Sequence, residues 1–481
     1  MPTLHNSTLH FLLYAGMAYF MAANLIYVVL LVGGIWDIKR WRGKHAGKSG
    51  TILPAISVIA PAFNMENSIL PSIAGLLSLD YPDFEIIVVN DGSSDRTLEL
   101  LTQAYSLARA PIPATTPLCR ATIRGIYTSP VNSRLRVIDK VNGGHKADAL
   151  NAGITYVRHE LFCAVDSDSL LETGALRQIV KPFLRDPRRM IASGGTIRVI
   201  NESVFQDGKI QQARVSKNPL VFFQIVEYIR AFYTGRTAWN RFNSLLIISG
   251  AFGLFKTAAV KAVGGYGVAA IGEDMELVMR LHHDCRKKNI PYKMGFVPEA
   301  VCWTEVPETL HSLYVQRHRW QRGLLDSLTT HWRMFLNPRY GAIAFVAIPY
   351  FIFVEAIGPM LEVILWGLLF VANSRGILGY GFWLAFVLVS LSFSWALSMC
   401  SICVEIIYFS RYSRVRDFLL LTAATIFEPF GYRQITAVWR LVGTLAFLRR
   451  DKGWGKLKRR GFGTGNRLAK IEKQHHHRPE L

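Results

Sequence analysis

The chain has 481 residues, 51% of them hydrophobic, with 55 Lys and Arg against 34 Asp and Glu and a formal charge of +21. That length exceeds one compact domain, and the apolar content gathers at the N-terminus and after position 340, leaving a soluble composition from about Thr51 to Arg339. The basic runs flank apolar segments, the positive-inside and anionic-lipid pattern, so the expected partner is the lipid bilayer and not nucleic acid.

In chain order, the first element is a span. Phe11 to Trp36 carries no charged residue, and at about 1.5 Å per residue it crosses a hydrocarbon core of about 30 Å. No Lys or Arg precedes it, unlike a signal peptide. Lys39, Arg40, Arg42 and Lys44 follow it, which places the N-terminus outside and Asp37 onward in the cytosol. The six cysteines include only one close pair, Cys400 and Cys403. That argues against zinc or a disulfide framework and fits a reducing compartment.

Four β-branched runs follow: Ile56–Ala60, Phe84–Val89, Leu135–Ile138 and Leu161–Val165. Helical patterns around 66–78, 95–108 and 146–157 alternate with them, which predicts a mainly parallel sheet with helices on both faces. The Pro- and Thr-containing stretch Ala110 to Arg134 reads as an inserted loop. Ligands of such sheets bind beyond the carboxyl ends of the strands. Asp91, Asp166 and Asp168 stand at those ends.

Asp91 precedes Gly92-Ser93-Ser94-Asp95, so it suits either a turn with a helix cap or the ribose or base edge of a nucleotide. Asn142 to Gly153 joins a Gly-rich loop to a helix start, where backbone N–H groups and the Lys146 ammonium can meet an anion. Asp166-Ser167-Asp168 directly follows a buried strand. Two carboxylates there can share a hard divalent cation, or form a plain acidic loop. Gly272-Glu273-Asp274 opens a helix expected over Met275 to Arg286. Its carboxylates suit either a general base or the dipole of a first helical turn. Gln316-Arg-His-Arg319-Trp320 lies in a basic amphipathic stretch, Thr309 to His331, where Arg319 can fork onto a diphosphate and Trp320 can stack on a sugar. A membrane-surface helix would have the same composition.

Two further spans are expected within Ala342 to Val371 and Tyr380 to Phe409. Phe418 to Leu448 breaks at Glu428-Pro429, and both its flanks are basic, so a re-entrant or interfacial hairpin is expected there. Glu355, Glu362 and Glu405 lie in or near the apolar segments, as a polar lining for a saccharide path or as helix-end charges.

Together and in this order, Asp91, Asp166-x-Asp168, Gly272-Glu-Asp274 and Gln316-x-x-Arg319-Trp320, followed by membrane helices, resemble the processive family 2 glycosyltransferases. That group includes cellulose, chitin, hyaluronan and poly-N-acetylglucosamine synthases. The resemblance implies an α/β, GT-A (Rossmann-like) cytosolic domain with N- and C-terminal transmembrane helices, set in the plasma membrane. It implies inverting transfer from a nucleotide-sugar donor, UDP-N-acetylglucosamine ahead of UDP-glucose, to a saccharide acceptor, with Mg²⁺ or Mn²⁺. By resemblance Asp274 is the catalytic base, and Glu66, Asp91, Lys146, Asp166 and Arg319 bind the nucleotide sugar. Gly250, Gln316 and Trp320 bind the acceptor, and Asp168 and Asp166 hold the metal.

The expected layout is an anchor with its basic flank (1–50), the GT-A domain (51–310), an amphipathic interface helix (311–340), membrane and re-entrant helices (341–448) and a basic cytosolic tail (449–481). Two departures stand out. Asn64 is followed by Met65 and only then Glu66, and Gly272 replaces the Thr of cellulose-type members. The rival enzyme reading is a single transfer to a lipid carrier or glycolipid. A binding subunit that had lost catalysis would have lost Asp168 or Asp274, and both are present.

Overall fold

Continuous Val, Ile and Leu runs, buried on both faces, form the centre of one mixed sheet. The computed structural model describes residues 2–45, 52–206, 209–377, 380–412 and 414–450. Its strands are β1 (Ile56–Ala62), β2 (Phe84–Asp91), β3 (Ala108–Ala110), β4 (Ile123–Thr128), β5 (Leu135–Lys140) and β6 (Leu161–Val165). They continue with β7 (Ser169–Leu171), β8 (Met190–Val199), β9 (Val204–Gln206), β10 (Lys209–Gln212), β11 (Phe252–Lys256) and β12 (Lys293–Thr304). The sheet order is β3-β4-β5-β2-β1-β6-β11-β8-β12-β7, and β9 and β10 form a separate hairpin.

The quartet β5-β2-β1-β6 is parallel. The chain moves outward from β1 through β2 to β5 and then crosses back to β6 on the other side of β1. The crevice at this reversal is where an open α/β sheet binds ligands, and Asp91 and Asp166 flank it. The helices between these strands are shorter than their sequence patterns: Ile69–Leu77, Thr97–Tyr105 and Lys146–Thr155. The stretch expected as an inserted loop holds β4, which pairs antiparallel with β5 and extends the sheet. Its Arg124 and Gly125 interrupt the apolar alternation, so the pairing, not the pattern, defines the strand.

Three helices are long and apolar enough to cross a membrane, with candidate spans Thr8–Trp41, Ile343–Ser374 and Phe386–Tyr408. The second is irregular, with π-helical turns at Ile343–Ala347 and Phe351–Ala356 around Pro349. Proline removes a backbone donor and disturbs the regular ladder at that point. The first and second helices touch where Tyr19 donates to the Phe353 carbonyl at 2.8 Å. The third is tied to the sheet by a buried ion pair between Glu405 and Arg198 of β8.

Beyond it, Val415–Phe427 and Tyr432–Leu448 form two helices that turn at Gly431, whose φ is +86°. Neither is among the candidate spans. The second packs on the helix Leu310–Thr330, with Gly443 so close that a Cβ there would stand 3.0 Å from the His318 carbonyl. Of the expected flank and tail, residues 46–51 and 451–481 lie outside the described residues.

Candidate active site

Asp166 leaves β6 half-buried and forms an ion pair with Lys146, the first residue of the helix Lys146–Thr155. The same ammonium donates to the Gly250 carbonyl at 3.0 Å. Gly250 in turn donates its backbone N–H to Asp274 Oδ2 at 3.2 Å. One lysine therefore bridges the metal-type carboxylate pair to the loop that holds Asp274. Burial works to lower the Lys146 pKa, but Asp166, Glu273 and Asp274 outweigh it and hold the ammonium above its ordinary value. Lys146 and Gly250, far apart in the chain, meet in this bridge.

Asp274 lies in the first turn of the helix Glu273–Lys287, where Oδ1 also accepts the Met275 N–H at 2.8 Å. Its neighbour Glu273 is pushed up by burial and by Asp274, against the pull of Lys146 and Arg319. Arg319 thus stands within electrostatic reach of the same crevice. Asp168 is buried beside Asp166.

Gln316 is buried with its Oε1 unpartnered among the described residues, whereas Trp320 is exposed. The unassigned Arg317 of that motif pairs with Glu227 at 2.7 Å and lies 4.4 Å over the Trp320 ring. Gly272 and Gly323 explain how the two motifs meet. A Cβ at Gly272 would stand 3.2 Å from the Gly323 Cα and carbonyl oxygen, so the two backbones pack without side chains between them.

Asp91 has a further occupation that sequence reasoning missed. It accepts from the buried Lys140 Nζ and from the Gly143 N–H at 3.1 Å, and Lys140 also pairs with Asp148 at 2.9 Å. The signal was Lys140 at the end of β5, in register with Asp91. Glu66 is exposed and accepts from the Arg96 N–H at 3.3 Å. It helps lace the loop after β1 to the loop after β2.

A divalent cation fits the donor set. Asp166 and Asp168 offer hard oxygens at a buried strand end. Among the described residues no group of three or more His, Cys, Asp or Glu side chains converges. Phosphate oxygens and water would complete the coordination, the usual magnesium arrangement.

A separate cavity of about 590 Å³ runs among the apolar helices, and its lining residue Arg236 lies within electrostatic reach of Asp274. It is lined from Arg236 and Leu245–Ile247 to Leu12 and Leu368. Its lining on the first helix runs from Leu12 to Tyr27, roughly 22 Å along the axis. Glu355 and Glu362 line it, paired with Arg440 at 3.8 Å and Arg433 at 3.2 Å. Glu405 is not among its lining residues and serves the Arg198 pair.

Residues 54–323, more than half of the chain, match the family described as glycosyltransferase like family 2. The chain is 30% identical over 269 residues to a poly-beta-1,6-N-acetyl-D-glucosamine synthase of Staphylococcus epidermidis, covering 56% of this chain and 54% of that protein. It is 29% identical over 271 residues to the synthase of that name from Staphylococcus aureus strain MSSA476, covering 56% and 55%. The match thus spans about half the length of these relatives. A mannosyltransferase from Pyrobaculum calidifontis, solved with GDP-Man and Mn²⁺, superposes with a TM-score of 0.55 at 17% identity, over 92% of this chain and 100% of that one, which is a likeness of fold. The α/β sheet is thus of the GT-A type with apolar helices at both ends, and the chain belongs to the family 2 glycosyltransferases.

Proposed function

We propose that this chain is a membrane-embedded, inverting, metal-dependent glycosyltransferase. It adds sugar from a UDP-sugar, N-acetylglucosamine ahead of glucose, to a growing polysaccharide at the cytosolic face of the plasma membrane. The observation that carries the reading is the Lys146 bridge from Asp166 to the Gly250–Asp274 pair, which joins a donor-side and an acceptor-side carboxylate in one crevice. The synthase names of the 30%-identical relatives support the sugar and the polymer.

Asp166 and Asp168 would hold Mg²⁺ or Mn²⁺, which when bound offsets charge on the departing diphosphate. Arg319 adds donors to that diphosphate, and Asp91 and Glu66 border the nucleotide. Gln316 and Trp320 hold the acceptor end, Trp320 by its exposed ring. Asp274 accepts the proton of the acceptor hydroxyl as that oxygen bonds the anomeric carbon and the bond to the diphosphate breaks on the opposite face. The product is the extended chain with inverted configuration, plus UDP. The cavity that Arg236 lines receives the acceptor, its aromatic wall of Tyr19, Tyr27, Trp239 and Tyr350 suited to sugar faces.

A second reading, single transfer to a lipid-linked acceptor, draws on the aliphatic far end of the same cavity at Leu12, Ile364, Leu365 and Leu368. Purified full-length protein in lipid, given labelled UDP-sugars with Mg²⁺ or Mn²⁺, separates the two. A long, water-soluble polymer supports the first reading. A single labelled sugar extracted with lipid supports the second, and undiminished turnover in EDTA overturns the metal requirement.

A further inference from the structure

Four arginines line the cavity: Arg230, Arg236, Arg433 and Arg440. Three of them face a carboxylate, Glu428 at 2.7 Å, Glu362 at 3.2 Å and Glu355 at 3.8 Å respectively for Arg230, Arg433 and Arg440. Arg236 does not. Its Nη1 is buried without a hydrogen-bond partner among the described residues, and its guanidinium lies 4.0 Å over the Phe232 ring. A buried, unsatisfied cationic donor costs free energy, and its persistence calls for a ligand.

The local backbone is also irregular. Arg236 ends a π-helical segment, Ala231–Arg236, between the helices Pro219–Arg230 and Thr237–Asn240. Such inserted turns widen a helix and recur at binding sites. Arg236 stands within electrostatic reach of Asp274, which partly offsets a burial that pushes the guanidinium down to about 10. The arginine without a carboxylate is thus the one at the end of the cavity nearest the expected base.

We propose that Arg236 is an acceptor-positioning residue: its Nη1 donates to an oxygen of the acceptor saccharide and holds the hydroxyl-bearing end toward Asp274. This rests on the acceptor reading of the cavity given above. The aromatic face of Phe232 braces the guanidinium plane, so the donor direction is set before the ligand arrives.

The test is acceptor kinetics on full-length protein in lipid, with short β-linked N-acetylglucosamine and glucose oligosaccharides as acceptors and a labelled UDP-sugar as donor. Arg236→Gln should raise the acceptor KM by about 10- to 100-fold, the loss of a charge-assisted hydrogen bond. Donor affinity, read by calorimetry, should stay within about twofold of wild type. Arg236→Lys, which keeps the charge and loses the planar fork, should recover part of the loss. Thermal stability should hold or rise in Arg236→Gln, because the variant removes an uncompensated buried charge. An unchanged acceptor KM beside working wild-type transfer overturns the assignment, as does a fall in stability with kcat and KM moving together. Wild-type protein that transfers to none of these saccharides overturns the acceptor reading itself, and this assignment with it.

Discussion

Asp274 accepts from two backbone amides, Gly250 and Met275, which fixes the carboxylate while leaving lone pairs for a proton. Asp274→Asn keeps the shape and loses the acceptor site. The expected outcome is a fall in transfer of about 10² to 10⁴ with nucleotide-sugar binding intact, read by a radiolabelled assay beside titration calorimetry. Turnover near wild type would move the base elsewhere, first to Glu273.

His282, on the same helix, sets a pH limit of another kind. It is fully buried, donates Nε2–H to the Leu245 carbonyl at 2.9 Å, and accepts the Tyr292 hydroxyl on Nδ1 at 2.7 Å. Burial pushes its pKa down to about 4, with the Leu245 bond working against it. The unfolded chain takes up this proton near 6.5 and the folded one does not until near 4. Stability is therefore fully present above about 6.5 and is lost as pH falls toward 4, by on the order of 3 kcal/mol. Chemical unfolding of wild type and His282→Gln across that window checks this. Parallel pH curves for the two proteins would rule it out. Asp274 and the Asp166 pair were legible as residues from strand-end and helix-start patterns. Lys140 and Arg236 were not, because a buried cation becomes notable only when its partners, or their lack, are known.

At the scale of elements, the crossing of the helix Leu310–Thr330 over the start of Glu273–Lys287 decides where Arg319 and Trp320 stand. The contact is between Gly272 and Gly323. Gly323→Ala should be tolerated with slight loss, since a small shift absorbs its Cβ. Gly323→Val should wedge the helices apart, cost about 1–3 kcal/mol and cut transfer about a hundredfold through misplacement. Full activity in the valine variant would show that this crossing does not position the site. The departure from a Thr at position 272 thus has a tertiary cause, visible only once the partner glycine, far along the chain, is brought against it.

The helix Tyr432–Leu448 is the second case. Arg440 donates to Gln321 Oε1 at 2.8 Å, and Gln321 also holds Thr444 at 3.1 Å. Packed in this way on an amphipathic helix beside the active crevice, it should lie along the cytosolic face. Single cysteines at Ser410 and Arg450, in a cysteine-free background, should both resist labelling from outside intact cells. Ready labelling at 450 alone would mean the segment crosses.

At the scale of the whole molecule, the Arg198–Glu405 pair, buried on both sides, couples the sheet to the third candidate span. Arg198→Ala strands the glutamate and should cost about 3–5 kcal/mol, whereas replacing both partners by apolar residues of similar volume should be close to neutral. Thermal unfolding in lipid of the single and double variants checks the contrast. Equal loss in both would mean the residues act separately.

The sequence by itself determined the candidate spans, the parallel core strands and the carboxylate motifs, because burial on both faces and membrane thickness impose local patterns of composition and length. It did not show β4, the Lys140 network, the Gly272–Gly323 crossing or the cavity. The last three arise between segments distant in the chain, and β4 from its pairing with β5. A strand whose apolar pattern is broken by Arg124 and Gly125 is recognised by its neighbour. A glycine contact needs both backbones in place, and a cavity is the space left between packed segments. Whether Glu355, Glu362 and Glu405 lined a path or served structure was undecidable from spacing alone. Packing divided them, two onto the cavity wall with arginine partners and one into a buried pair with Arg198.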